Sequence, residues 1–242
     1  MKRALGLLAL LILSTPARAE DLLLALSSLD VTIASNWAGA DVTVFGTVRE
    51  PMPGRAYQLV ITTSGPTETL VVHEKGPVAG LWVTKKTSRF PEAPSFLSVL
   101  SNAPLDDIAD PEERMRARLG LAEYARGDGS APRAARQALM RLQNERGLWV
   151  EDEEGVSFDP QLFHATVHLP SNTPFGAFEV EGRLYADKTL VARRTISFRV
   201  AKAGFEAKVA DVAERIRLGY GVGVAGLALL FGWAASAMFR RD

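Results

Sequence analysis

The chain has 242 residues, 28 basic and 28 acidic, so its formal net charge is zero and its bulk electrostatics favour neither nucleic acid nor an anionic surface. It contains no cysteine, which excludes disulfide staples, thiolate catalysis, iron–sulfur clusters and cysteine-based zinc sites. Hydrophobic residues make up 47%, a share raised by two apolar ends around a stretch of ordinary globular composition.

Residues 1–19 read as a signal peptide. Met1-Lys2-Arg3 is a basic start, Ala4 to Leu13 is a short apolar run, and Ala17-Arg18-Ala19 is an Ala-x-Ala cleavage site. The run is about half the length a membrane span needs. Residues 20–205 follow as a β-rich domain. Val31 and Ile33 alternate first, and Asn36-Trp37-Ala38-Gly39 is turn-like. Val42, Val44, Gly46 and Val48 then face one way, with Thr43, Phe45 and Thr47 facing the other. Further strands are expected over 57–63 and 69–73, and Leu81-Trp82-Val83 is a short apolar strand candidate. Phe45 and Trp82 are expected in the core, and Gly39 and Gly46 at a turn and a bulge or close contact.

Residues 110–146 carry a predicted helical hairpin. Asp110 precedes Pro111, Glu112 and Glu113, which suit a first helical turn. Met115, Leu119 and Ala122 give that helix an apolar side as far as Arg126, and Gly127 to Ser130 break it. A second helix runs from Pro132 to Arg146, with Ala135, Leu139 and Leu142 at helical spacing. Alternation then returns in Phe163 to Leu169, in Phe178 to Ala186 with Glu179, Glu181 and Arg183 on the other side, and in Thr195 to Val200. The fold class this predicts is mainly β: an immunoglobulin-like sandwich, or two small β lobes, with an inserted helical hairpin and one C-terminal transmembrane helix.

Residues 206–217 read as an amphipathic stalk, with Val209, Val212, Ala213 and Ile216 on one side. Residues 218–239 carry no charge, and as a helix they would cover about 33 Å, enough for a bilayer core. Residues 240–242 form a short basic-led tail, which favours the cytoplasmic side. Together the ends predict a single-pass inner-membrane protein with its main domain in the periplasm.

Several motifs resemble chemistry and fail on context. Gly221-Val222-Gly223-Val224-Ala225-Gly226 matches a dinucleotide fingerprint but lies inside the apolar span with no strand before it. Gly219-x-x-x-Gly223 and Gly232-x-x-x-Ser236 instead suit close packing of membrane helices, with a partner protein or a second copy. His164 and His168 share one face of a strand, about 13 Å apart, too far for a single metal ion. Glu151-Asp152-Glu153-Glu154-Gly155 lacks the ligand pattern of a calcium loop and reads as a solvated turn. No catalytic, cofactor-binding or metal-binding residue is assigned. Trp37, in its turn, is the aromatic whose exposure would mark a contact surface.

Val31-Thr32-Ile33, Trp37-Ala38-Gly39, Val44-Phe45-Gly46, Gly80-Leu81-Trp82-Val83, Pro94-Ser95-Phe96, Asn102-Ala103-Pro104-Leu105 and Pro174-Phe175-Gly176 occur in that order before the terminal span. In this the chain resembles the family of uncharacterised predicted transmembrane proteins described from alphaproteobacteria. The resemblance brings no catalytic residues. It implies association with sulfite-exporter-like permeases, hence a transport accessory. The expected function is a membrane-anchored periplasmic binding or accessory module in contact with the lipid bilayer. An envelope enzyme with an unrecognised site and a self-associating structural envelope protein remain as alternatives.

Overall fold

A computed structural model of the protein describes residues 21–33, 38–78, 80–127, 129–159, 162–202, 226–233 and 236. The chain divides into two units, Met1–Val31 with Ala38–Val200, and Thr32–Trp37 with Ala201–Asp242. The fold is mainly β with some helices.

The strands of the first unit are β1 (Asp21–Leu26), β2 (Asp30–Ile33), β3 (Ala40–Arg49), β4 (Gln58–Ser64), β5 (Thr67–Val78), β6 (Leu81–Pro94), β7 (Leu97–Ser101), β8 (Trp149–Asp152), β9 (Val156–Phe158), β10 (Leu162–Leu169), β11 (Gly176–Ala186) and β12 (Thr189–Lys202), the ends of β2 and β12 passing into the second unit. Four strands form one sheet in the order β1-β3-β10-β9, and six form another in the order β2-β12-β11-β4-β7-β8. β5 and β6 pair only with each other, as a ribbon.

The two sheets meet through apolar faces. Val42, Val44 and Val48 of β3 are buried, as are Phe163, Ala165, Val167 and Leu169 of β10. Opposite them, Gly182 of β11 lies against the Leu22 and Leu24 side chains of β1. Alternation in β3 sends Phe45 to the outer face of the four-stranded sheet, where it is 43% exposed. The core expectation for Phe45 is therefore wrong, because Val44 and Phe45 cannot point the same way.

β4 breaks the alternating pattern, since Leu59 to Thr63 are all buried. One face of the six-stranded sheet lies on the other sheet, and helices approach its opposite face. Those helices join β7 to β8, which pair in parallel, with Leu97 opposite Trp149. A parallel pair needs a long crossover, and the insertion supplies it.

The insertion is α1 (Leu105–Ile108), α2 (Pro111–Ala117), α3 (Leu121–Arg126) and α4 (Arg133–Glu145), rather than a hairpin of two helices from residue 110. The predicted first helix breaks at Arg118, which adopts φ 50° and ψ 51°. The Leu119 N–H then reaches back to the Arg114 carbonyl at 2.9 Å, and the Leu119 side chain is fully buried. This is a Schellman-type ending with arginine where glycine is usual, so the sequence carries no stop signal there. Burial of Leu119 offsets the left-handed strain.

Gly46 sits where two strands and a ring converge. A Cβ there would collide with the Leu23 carbonyl oxygen and the Phe163 ring. Gly46→Ala is expected to lower unfolding stability by about 1–3 kcal/mol, as overpacking does, measured by urea denaturation of the full chain.

Candidate functional site

The histidines do not form a site. His164 and His168 lie on the exposed face of β10. His168 Nδ1 meets Asp41 Oδ1 at 2.6 Å on the adjacent strand β3, and His73 Nδ1 meets Thr87 Oγ1 at 3.1 Å on the ribbon. Among the described residues, no group of three His, Cys, Asp or Glu could hold a metal ion.

Of the acidic run 151–154, Glu151 and Asp152 end β8, Glu153 and Glu154 form the turn after it, and two of the carboxylates are not simply solvated. Glu151 Oε2 accepts the N–H of Leu121, the first residue of α3, at 2.7 Å. Glu153 Oε1 accepts the N–H of Leu105, the first residue of α1, at 3.3 Å. Helix starts leave such donors unpaired, and a carboxylate suits them electrostatically. Lost hydration raises the Glu151 carboxyl above its ordinary value, the Leu121 N–H opposes that rise, and Glu123 and Glu153 add to it. Asp110 makes no such bond to α2, and its Oδ1 accepts from Lys188 Nζ at 3.3 Å.

The polar positions of β11 are the least expected feature. Glu181 and Arg183 occupy the side away from Gly182, yet they are only 7% and 8% exposed. Arg183 Nη2 donates to Glu181 Oε2 at 2.6 Å, and its Nη1 donates to the Ala117 carbonyl at 2.5 Å. Arg193 of β12 pairs with the other Glu181 oxygen. The cluster therefore binds the C-terminal end of α2 to the six-stranded sheet. Tyr185 lies two residues further along, fully buried, and burial pushes its hydroxyl up to about 12. Arg183, Glu181 and Arg193 hold protein to protein and form a structural clasp, while the buried Tyr185 hydroxyl beside them meets no hydrogen-bond partner among the described residues. Sequence alternation marks Glu181 and Arg183 as a polar face but carries no sign of the cover.

Of the open hollows, one of about 570 Å³ gathers Asp110, Glu112, Glu113, Arg116 and Lys188, and two others gather no acidic or imidazole groups. Of those two, one of about 670 Å³ lies between Lys86–Arg89 and Ser130–Pro132, and the other, of about 500 Å³, is lined by Pro51–Tyr57 and Phe158.

Two exposed apolar groups remain. In the second unit, residues 226–233 are helical, and Leu227, Leu229, Leu230, Phe231 and Trp233 are 56–75% exposed. A Cβ on Gly226 or Gly232 would meet nothing within 4 Å. Ser236 is also helical, whereas Gly219, Gly223 and Trp37 lie outside the described residues, as do the signal segment, the stalk and most of the span. No helix among the described residues is long and apolar enough to cross a membrane. The other group stands on the ribbon. Trp82 is 73% exposed, which corrects its expected place in the core. The three-residue strand expected there is the start of β6, which extends to Pro94.

The molecule is thus a mainly β protein with an exposed apolar helical stretch near its C-terminus. Residues 21–241 match the family described as "Putative transmembrane protein (Alph_Pro_TM)", and the chain belongs to that family. No curated protein sequence matches it. Among solved structures, it is similar to Spo0M, a sporulation control protein from Bacillus subtilis, with a TM-score of 0.30 and 10% identity over 82% of this chain and 56% of that one. It is also similar to a glycosyl hydrolase family 2 member from Bacteroides cellulosilyticus, with a TM-score of 0.26 and 7% identity over 74% of this chain and 14% of that one.

Two substitution pairs test the clasp and the cap. Arg183→Ala leaves Glu181 with Arg193 as its ionic partner and unties the Ala117 carbonyl, and is expected to cost about 1–3 kcal/mol, while Arg194→Ala at an exposed position of β12 stays within about 0.5 kcal/mol. Thermal and urea unfolding measure both. For Glu151, a folded value above the unfolded one means its contribution is full below the ordinary carboxylate range and is lost as pH rises through the folded value. Glu151→Gln keeps an acceptor without the charge, so at neutral pH it should match or exceed the parent in stability. Glu151→Ala should lose about 0.5–1 kcal/mol.

Proposed function

We propose that this protein is a membrane-anchored periplasmic binding or accessory module. Residues 1–19 direct export, residues 20–205 form the periplasmic domain, and residues 218–239 span the inner membrane, leaving 240–242 in the cytoplasm. The observation that carries this reading is the helical stretch 226–233, with five large apolar side chains more than half exposed. A helix apolar all round needs an apolar surround, and lipid supplies one. Family membership supports the membrane location.

The domain would act by presenting its β surfaces, read here as an immunoglobulin-like sandwich, to an integral membrane partner of the transporter class. Gly219, Gly223, Gly232 and Ser236 would let that partner's helix approach closely. Open space around Gly232 agrees with such an approach.

Membranes carrying the full chain should retain it through an alkaline carbonate wash, and mild detergent should release it with a membrane protein bound. Gly223→Leu with Gly232→Leu should reduce the bound partner about threefold or more while the chain stays in the membrane. Release by the wash would refute the anchor. A lone monomer in mild detergent would refute the accessory role.

A further inference from the structure

The β5–β6 ribbon is built differently from the rest of the first unit. Residues 81–87 of β6 are all exposed, although they alternate sides, so both faces of the ribbon are open there. On β5, Glu74, Lys75, Pro77 and Val78 are exposed too. Val78 pairs with Leu81 around the turn, where Gly80 takes φ 84°. Leu81 and Trp82 are 71% and 73% exposed, and Val78 and Val83 are 52% and 40%. Burying these four side chains would give back several kcal/mol of hydrophobic free energy, yet the fold holds them out in water.

The residues behind the tip are cationic. Pro77 pairs with Trp82 and Lys75 with Thr84, so Lys75 and Trp82 share one face. Gly76 pairs with Val83, and the Lys85 stem lies over Gly76, so the other face carries its own lysine. Lys86 follows, opposite Glu74. Between 73 and 86 the ribbon therefore holds three lysines and one glutamate. Lys75 lies about 10 Å behind the turn at ordinary strand rise.

We propose that the tip of this ribbon inserts into the surface of an anionic bilayer, with Val78, Leu81, Trp82 and Val83 among the upper acyl chains and Lys75, Lys85 and Lys86 at the headgroups. A depth of 5–10 Å is where interfacial apolar groups settle, and tryptophan favours that boundary. Long lysine stems reach back from apolar surroundings to phosphate. A narrow projecting tip with apolar residues on both faces suits a fluid that closes around it, whereas a protein partner would need a slot of matching shape. This deepens the reading of the chain as membrane-anchored, and the choice of membrane rests on that reading. The tip would hold the periplasmic domain against the same bilayer as a second attachment, so that the two contacts reinforce each other.

The absence of cysteine allows a direct test. The full chain carrying Leu81→Cys, and separately Val78→Cys, is labelled with an environment-sensitive fluorophore and placed in nanodiscs of phosphatidylcholine with phosphatidylglycerol. A label at Glu154→Cys serves as the solvent control. Labels at 81 and 78 are expected to be quenched by nitroxide lipid and shielded from iodide, and the label at 154 to behave oppositely. Lys75→Gln, Lys85→Gln and Lys86→Gln should each lower the ratio of lipid-facing to water-facing label up to about fivefold. Iodide access at both tip positions would overturn the proposal. So would equal quenching in discs of phosphatidylcholine alone, or protection that appears only in native membranes with their proteins. Co-elution with discs reports the C-terminal anchor and the label reports the tip, so the two readings fail separately. Should co-elution fail, the chain must still float with phosphatidylglycerol vesicles by its tip, and its sinking would overturn the proposal.

Discussion

Trp149 is the joint on which the first unit is assembled. Its side chain is fully buried, and its indole N–H donates to the Pro94 carbonyl at 2.9 Å. Pro94 ends β6, so the bond fixes the place where the ribbon rejoins the body. Trp149 begins β8, so the same bond fixes where the helical insertion rejoins it. The neighbouring Leu148 carbonyl accepts from the Leu97 N–H at 2.8 Å, and Asn144 at the end of α4 donates to the Trp149 carbonyl at 3.1 Å. A buried indole without a partner for its N–H would be costly, so the large apolar ring and its one polar atom together specify a single arrangement.

The six-stranded sheet is held by two unlike interfaces. Toward the other sheet it offers apolar side chains and Gly182, and contact there is non-directional. Toward the helices it offers Glu181 and Arg183, whose bonds demand particular geometry. Apolar burial supplies most of the driving force, while the ionic clasp ties the end of α2 to the sheet. Glu151 and Glu153 act on the same insertion from β8 and the turn that follows it. The helices are thus positioned by charges from two separate parts of the chain.

Strands with one covered face were legible in the sequence. β3 and β10 alternate because one face lies on the opposing sheet and the other is open, whereas β11 alternates in residue type although both its faces are covered from Val180 onward. The length of β6 was not legible, because a ribbon exposed on both sides imposes no alternation. Trp82 misled for the same reason: size and hydrophobicity say that a residue prefers burial, not that the fold grants it. The break at Arg118 was hidden because its cause is the burial of Leu119, a tertiary contact. Glu181 and Arg183 were visible as polar positions, but their cover comes from helices more than sixty residues earlier. Of the glycine pattern proposed for the membrane helix, Gly232 and Ser236 fall within the described residues.

The two strands of the ribbon leave and rejoin the body side by side. The ribbon leaves the body at Thr67 and returns at Pro94, and these two residues pair with each other. The strands on either side, β4 and β7, pair directly, with Ser64 opposite Leu97. The body closes its own hydrogen bonds beneath the ribbon as if the ribbon were a graft on a finished stem. Its length and its tip can therefore change without altering the β4–β7 pairing. Beyond its base, the tip is thus uncoupled from the packing of the core.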